Sequence, residues 1–290
     1  MSKTGRSKFT AFLEMIKIEH SIFALPFAYL GILLSRRRFL FNRDLFWVTV
    51  AMVSARTFAM SFNRYVDREI DARNPRTKNR ALPQKLLTEK EVLLFTYSAI
   101  LIFILSAYML SPMCRYFWPI LLLPMIIYSY TKKFTYFCHF ILGISLGLSP
   151  IGTWIAVTNT IPPLKVILLG MAIMFWTAGF DIIYACQDID FDRKEGLFSI
   201  PSRFGISTAL KVTSLLHVIT IILLLLTGFL FQLQIFYFLG VLTVASILWY
   251  ENHIVKPSDL SRVNVAFFTT NGVVSILIFV FTWLDLYFTK

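Results

Sequence analysis

The chain has 290 residues, 57% of them hydrophobic and only 15% charged, with 29 Phe and a formal net charge of +12. Soluble domains carry about 25% charged residues, so neither a soluble domain nor a disordered segment fits, and three Cys are too few and odd in number for a disulfide scaffold. The positive balance does not make a nucleic-acid binder, because the basic residues lie between long apolar runs rather than along one soluble face.

A helix crossing a bilayer needs about 20 mostly apolar residues. In chain order that ruler predicts nine spans, at residues 18–35, 44–62, 92–110, 116–131, 137–157, 164–186, 209–231, 233–250 and 266–288. The expected fold is therefore all-α: a polytopic membrane bundle, with residues 1–290 as one domain. The first residues carry no apolar core with a small-residue cleavage site behind it, so the first span is expected to be retained.

Lys and Arg set the orientation. Twenty fall in the N-terminal tail and the loops after even-numbered spans, seven on the other side, and Arg56 lies within the second span. The N-terminus and the even loops are thus expected at the cytoplasmic face of the cell's inner membrane. Arg36, Arg37 and Arg38 violate the rule locally. Gly143 and Gly147 have the spacing that lets helices approach closely. Cys114, Cys138 and Cys186 read as core thiols, and four scattered His form no haem or di-iron ligand set.

The acidic residues are unevenly placed. Asp67, Glu69 and Asp71 cluster just past the second span, and Asp181, Asp188, Asp190, Asp192 and Glu195 at the end of the sixth, on the same membrane side. Asn63, Asp67 and Asp71 recur every four residues and so share a helical face. Tyr184, Asp188 and Asp192 repeat that frame, with Asp181 about two turns before Asp188. Glu69, Asp190 and Glu195 fall off those faces and read as ordinary solvated acids.

Carboxylates stacked on one face repel, and a cation between them removes that cost. Hard oxygen donors suit Mg²⁺, which binds through one or two carboxylates together with substrate phosphate oxygens. Arg76 and Arg80 follow the first cluster, while Lys132 and Lys133 occupy another loop on the same side. Acid for metal beside base for anion is the composition of a diphosphate site. The plainer alternative is a pair of solvated helix ends whose acids pair with nearby Arg.

Arg56 sits two turns before Asn63 among apolar neighbours. An intramembrane Arg is a functional candidate; it either snorkels to the interface or awaits a deeper anion such as a substrate carboxylate. His20, near the start of the first span, is a weaker candidate for that carboxylate, and interfacial packing explains it as well. A transporter is the rival class. Its ion sites would lie near the bilayer midplane on broken helices, whereas these acids gather at one membrane edge.

The stretch Asn63-Arg64-Tyr65-Val66-Asp67-Arg68-Glu69-Ile70-Asp71 resembles the first aspartate-rich motif of the UbiA-type intramembrane aromatic prenyltransferases, the whole motif region covering residues 63–80. Residues 181–205, opening Asp181-Ile182-Ile183-Tyr184-Ala185-Cys186-Gln187-Asp188, resemble the second. The resemblance implies a helical bundle around a central cavity open to the cytoplasmic side and to lipid. It implies Mg²⁺ and isoprenoid diphosphate held by Asn63, Asp67, Asp71, Asp188 and Asp192, with Arg76, Arg80 and Lys132 gripping the diphosphate. Arg56 would bind the carboxylate of an aromatic acid acceptor, and Asp181 and Tyr184 would line the same cavity.

The implied reaction is polyprenyl transfer from a polyprenyl diphosphate to a hydroxylated aromatic acid in respiratory quinone biosynthesis. The acceptor would be 4-hydroxybenzoate (ubiquinone) or 1,4-dihydroxy-6-naphthoate (menaquinone by the futalosine route). The second is suggested by the run from Arg193 to Gly205, which departs from the usual 4-hydroxybenzoate version. No nucleic acid and no obligate protein partner are expected beyond these substrates and the bilayer.

Overall fold

The computed structural model describes residues 7–17, 19–266 and 271–289, and the side chains of these except at 19–23. Among them α-helix prevails: α1 (Lys8–Ile16), α2 (Glu19–Arg36), α3 (Arg43–Val66), α4 (Arg68–Arg73), α5 (Glu89–Met109), α6 (Cys114–Thr131), α7 (Cys138–Thr158), α8 (Leu164–Ala185), α9 (Ile189–Glu195), α10 (Ile200–Phe204), α11 (Ile206–Phe231), α12 (Ile235–Ile254) and α13 (Asn271–Phe288). Within the described residues every predicted span coincides with a long helix, offset by a few residues at its ends; residue 18 of the first span and residues 267–270 of the ninth lie outside them. Seven of these helices are long and apolar enough to cross a membrane, while α2 contributes a shorter apolar stretch, Ala24–Arg36. The chain is a multi-pass membrane protein.

The helices pack as a ring, α2 against α3, α3 against α6, then α6, α7, α8, α11, α12 and α13 in succession, with α13 closing back on α2. α5 lies on α3, and α2 also packs on α7. The outer faces stay apolar: Leu101, Ile120, Leu226, Leu230 and Leu242 are all exposed, as lipid-facing positions should be. Inside, hydroxyls turn back on their own helices, Ser61 donating to the Thr57 carbonyl at 2.7 Å and Thr220 to that of Leu216 at 2.9 Å. Polar groups shielded from water must be satisfied in this way. α7 and α8 touch backbone to backbone, since a Cβ at Gly143 or Gly147 would collide with the carbonyl oxygens of Met174 or Gly170. The three Cys are buried and free.

The basic run that breaks the positive-inside pattern has structural work to do. Arg37 donates to the Phe231 carbonyl at the end of α11 (2.6 Å), and Arg43 to the Met109 carbonyl at the end of α5 (2.8 Å). Arg36 pairs with Asp44. Cations at helix C-termini satisfy orphan carbonyls and complement the helix dipole. At the same edge the buried Asp285 accepts from the Gln234 and Tyr237 amides (2.8 and 3.1 Å), capping α12.

At the opposite edge, the N-terminal tail, expected only to carry topological charge, forms the amphipathic helix α1. Ser7 caps it, and its buried face of Ala11, Phe12, Met15 and Ile16 packs on Ala81, Leu87 and Val92. It thereby braces the loop that follows the first acidic cluster.

Candidate active site

Both acidic clusters sit where a long helix gives way to a short one. α3 ends at Val66, Asp67 forms the junction, and α4 carries Asp71. The amides of Asp67 and Asp71 still bond the carbonyls of Asn63 and Asp67 (2.9 and 2.8 Å), which keeps the three side chains in one row. α8 ends at Ala185, tightens into a 3₁₀ turn over Cys186–Asp188 and resumes as α9. Mid-helix 3₁₀ turns commonly mark functional positions.

The structure joins the two clusters through basic side chains. Arg76 grips both oxygens of Asp188, with Nε to Oδ1 at 2.8 Å, donates to the Tyr184 hydroxyl at 2.7 Å, and lies over the Tyr184 ring at 4.8 Å. Asn74 also donates to Asp188 Oδ1 at 3.0 Å. Arg80 Nη1 reaches both oxygens of Asp71 (2.7 and 2.8 Å). Lys132, capping α6, pairs with Asp67 at 2.6 Å, and Asn63 donates to the same Asp67 oxygen at 3.1 Å. Ser199 donates to Asp192 at 3.1 Å, and Asp192 feels the charges of Asp188 and Lys132.

Charge balance here is incomplete. Asp67 is nearly fully buried, and among the described residues its Oδ1 has no hydrogen-bond partner. Burial pushes its carboxyl above the usual range despite Lys132 beside it. Burial opposes the charge of Arg76 as well, but its bonds to Asp188 and Tyr184 outweigh that and raise its pKa above the usual arginine value. A buried carboxylate oxygen without a partner, among other hard oxygen donors, fits a small divalent cation. Among the described residues no three acidic, thiol or imidazole groups converge on a single point. A cation here would therefore take one or two carboxylates and complete its shell with water or substrate oxygens.

The other candidates divide. Arg56 is half-buried on α3, on the same face as Asn63. Below it, Val48, Met52 and Ala55 with Trp118, Leu121 and Met125 border an apolar cavity of about 80 Å³. Asp181 does not join the basic set; it pairs with His139, Nδ1 to Oδ2 at 2.7 Å. Lys133 is exposed, its ammonium 5.6 Å over the Tyr130 ring rather than on an acid. The side chain of His20 lies outside the described residues. Glu69 meets Arg68 and Glu195 meets Arg73 at the surface (3.7 and 2.9 Å), and Asp190 is exposed.

Sequence reasoning missed Asn74, Ser199 and His139. Asn74 links the first motif region to Asp188 of the second but looks in sequence like an ordinary turn residue before Pro75. Ser199 is legible as a helix cap, and with Ser202 it forms a capping box. Nothing local marks His139 except an imidazole in the first turn of an apolar helix.

The family model for the UbiA prenyltransferase family matches residues 24–273. The chain belongs to the UbiA prenyltransferase family. It is similar to a 4-hydroxybenzoate octaprenyltransferase from Vibrio atlanticus (29% identical over 238 residues, 81% of this chain and 83% of that one). A Vibrio cholerae protein of the same name is 31% identical over 212 residues, 73% of this chain and 74% of that one. Among solved structures, the apo UbiA homolog from Aeropyrum pernix K1 superposes with a TM-score of 0.83 at 31% identity, covering 92% of this chain and 98% of that one. The fold also matches an Archaeoglobus fulgidus UbiA homolog bound to GPP and Mg²⁺ (TM-score 0.69, 19% identity, 96% and 99% covered). This UbiA-family chain is accordingly a membrane-embedded transferase of prenyl groups.

Proposed function

We propose that the chain transfers a polyprenyl group from a polyprenyl diphosphate to a ring carbon of a hydroxylated aromatic acid of the 4-hydroxybenzoate type, with Mg²⁺, in respiratory quinone biosynthesis at the cytoplasmic face of the membrane. One observation carries this reading: carboxylates of both motifs are matched by the cations Arg76, Arg80 and Lys132. A magnesium diphosphate has the charges to come between them, its phosphates taking the guanidinium and ammonium groups and its metal the freed carboxylates.

Asn63, Asp67, Asp71, Asp188 and Asp192 would supply the protein oxygens for metal, one or two carboxylates to each ion, and metal bound there would neutralise charge growing on the leaving diphosphate. Arg76, Arg80 and Lys132 share that task through charge-assisted hydrogen bonds. The apolar walls below Arg56 exclude water from the allylic carbon and accommodate prenyl chain. Arg56 orients the acceptor carboxylate, so that the activated ring carbon faces the breaking C–O bond. The names of the curated relatives support 4-hydroxybenzoate as the acceptor.

Purified protein given a polyprenyl diphosphate and Mg²⁺ should prenylate 4-hydroxybenzoate, and lose that activity in EDTA until Mg²⁺ is restored. Product from 1,4-dihydroxy-6-naphthoate alone would move the acceptor to the menaquinone route. Intact protein that neither makes product nor releases diphosphate with either acid would refute the reading.

A further inference from the structure

His139 lies in the first turn of α7 and is 2% exposed, yet neither motif contains it. Its two ring nitrogens meet different partners. Nδ1 is 2.7 Å from Asp181 Oδ2, and Nε2 is 3.3 Å from the backbone nitrogen of Ile200. A backbone N–H only donates, so Nε2 must be the bare, accepting nitrogen. The ring proton then resides on Nδ1 and is donated to Asp181. The contacts thus define one neutral tautomer of the ring, with Asp181 Oδ2 as its acceptor.

The same ring is part of a strap. The Phe198 amide donates to the Lys132 carbonyl at 2.7 Å, the Cys138 thiol lies 3.6 Å from the Phe198 carbonyl, and Ser199 holds Asp192. His139 therefore ties Asp181 to the segment that carries Ser199. Asp181 retains 15% side-chain exposure, and among the described residues its Oδ1 accepts no hydrogen bond. Asp181 lies one helical turn before Tyr184 on α8, and the Tyr184 hydroxyl accepts from Arg76, so Asp181 stands one turn below the basic set on that side of the helix.

We propose that His139 is a positioning residue: as the Nδ1-protonated tautomer it fixes Asp181 with Oδ1 turned inward, where it accepts the hydrogen bond of the acceptor's ring hydroxyl. This rests on the proposed aromatic acceptor, and it assigns the hydroxyl a partner distinct from the carboxylate's Arg56. The two ends of the acceptor are then read by an anion on α8 and a cation on α3. A ring lacking the hydroxyl would leave Oδ1 unmatched, and sites built to bond a hydroxyl discriminate strongly against analogues without one.

Two substitutions separate the contacts. In His139→Asn the amide nitrogen can occupy the place of Nδ1 and still donate to Asp181. In His139→Gln the amide oxygen can reach the place of Nε2 and still accept from Ile200. His139→Gln should lose about 10–100-fold in kcat/KM for the acceptor while the diphosphate KM stays within about threefold, and His139→Asn should stay within about threefold throughout. Equal losses in both variants, tolerance of Gln but not Asn, or a change confined to the diphosphate KM would overturn the positioning role.

¹⁵N spectra of histidine-labelled protein, with His139→Asn identifying the signal among four His, should show a protonated Nδ1 and a bare Nε2. An imidazolium, or a proton on Nε2, would overturn the tautomer whether or not any acceptor is turned over. Should the parent fail with every aromatic acid, the proposed function and the hydroxyl contact fall together, and the spectra still decide the tautomer.

Discussion

The two ends of the bundle use charge in opposite ways. At one edge Arg37, Arg43 and Asp285 are matched to backbone groups: helix-terminal carbonyls for the arginines and helix-initial amides for the aspartate. Those bonds complete the helices, and nothing mobile could replace the backbone partner. At the other edge Asp67, Asp71 and Asp188 are matched to side chains rather than backbone, and among the described residues Asp67 Oδ1 has no partner. Side-chain ion pairs can be exchanged for substrate phosphates and a cation, but backbone caps cannot. A count of charges therefore says little about which end is the site. What each charge is paired with says a great deal.

The largest effect expected from this contrast is at the exchangeable edge. Asp67→Ala or Asp188→Ala should lower prenyl transfer by about 10³-fold or more, with membrane insertion and detergent elution unchanged. Substantial activity in either variant would remove the metal assignment. Arg56→Ala comes next and should raise the KM for the aromatic acid by about 10–100-fold, as loss of a charge-assisted contact implies, while the diphosphate KM stays put. An unchanged acceptor KM would return Arg56 to a packing role. The smallest functional effect belongs to the capping edge. Asp285→Ala should cost about 1–3 kcal/mol and lower the detergent melting temperature by about 2–4 °C for each kcal/mol, with kinetic constants equal to the parent's. Altered kinetics there would mean that the two edges are coupled.

Much of the architecture was legible before any fold was known. Apolar runs bounded by charge placed each long helix within a few residues, because a bilayer imposes one length on every span. The four-residue recurrence of Asn63, Asp67 and Asp71 survives the break at Asp67, because the i to i−4 bonds continue through it. The second motif was read as one regular face, yet it contains a 3₁₀ turn that rotates Asp188 relative to Tyr184. Ala11, Phe12, Met15 and Ile16 of α1 have helical spacing, but the basic residues beside them carry the stronger signal, which is one of topology.

The pairings were out of reach of sequence reasoning. Arg76 and Asp188 are 112 residues apart, and His139 and Asp181 are 42 apart. No local rule brings such residues together. The sequence by itself determined that this is a membrane bundle, that its acids gather at one edge, and that hard-cation and diphosphate chemistry suits them, because hydrophobicity and periodicity act residue by residue. Only the tertiary structure decided which cation faces which carboxylate, why Arg37 is tolerated at the far edge, and which groups meet the two ring nitrogens of His139. Those depend on where separate helices meet, and helix packing sets that.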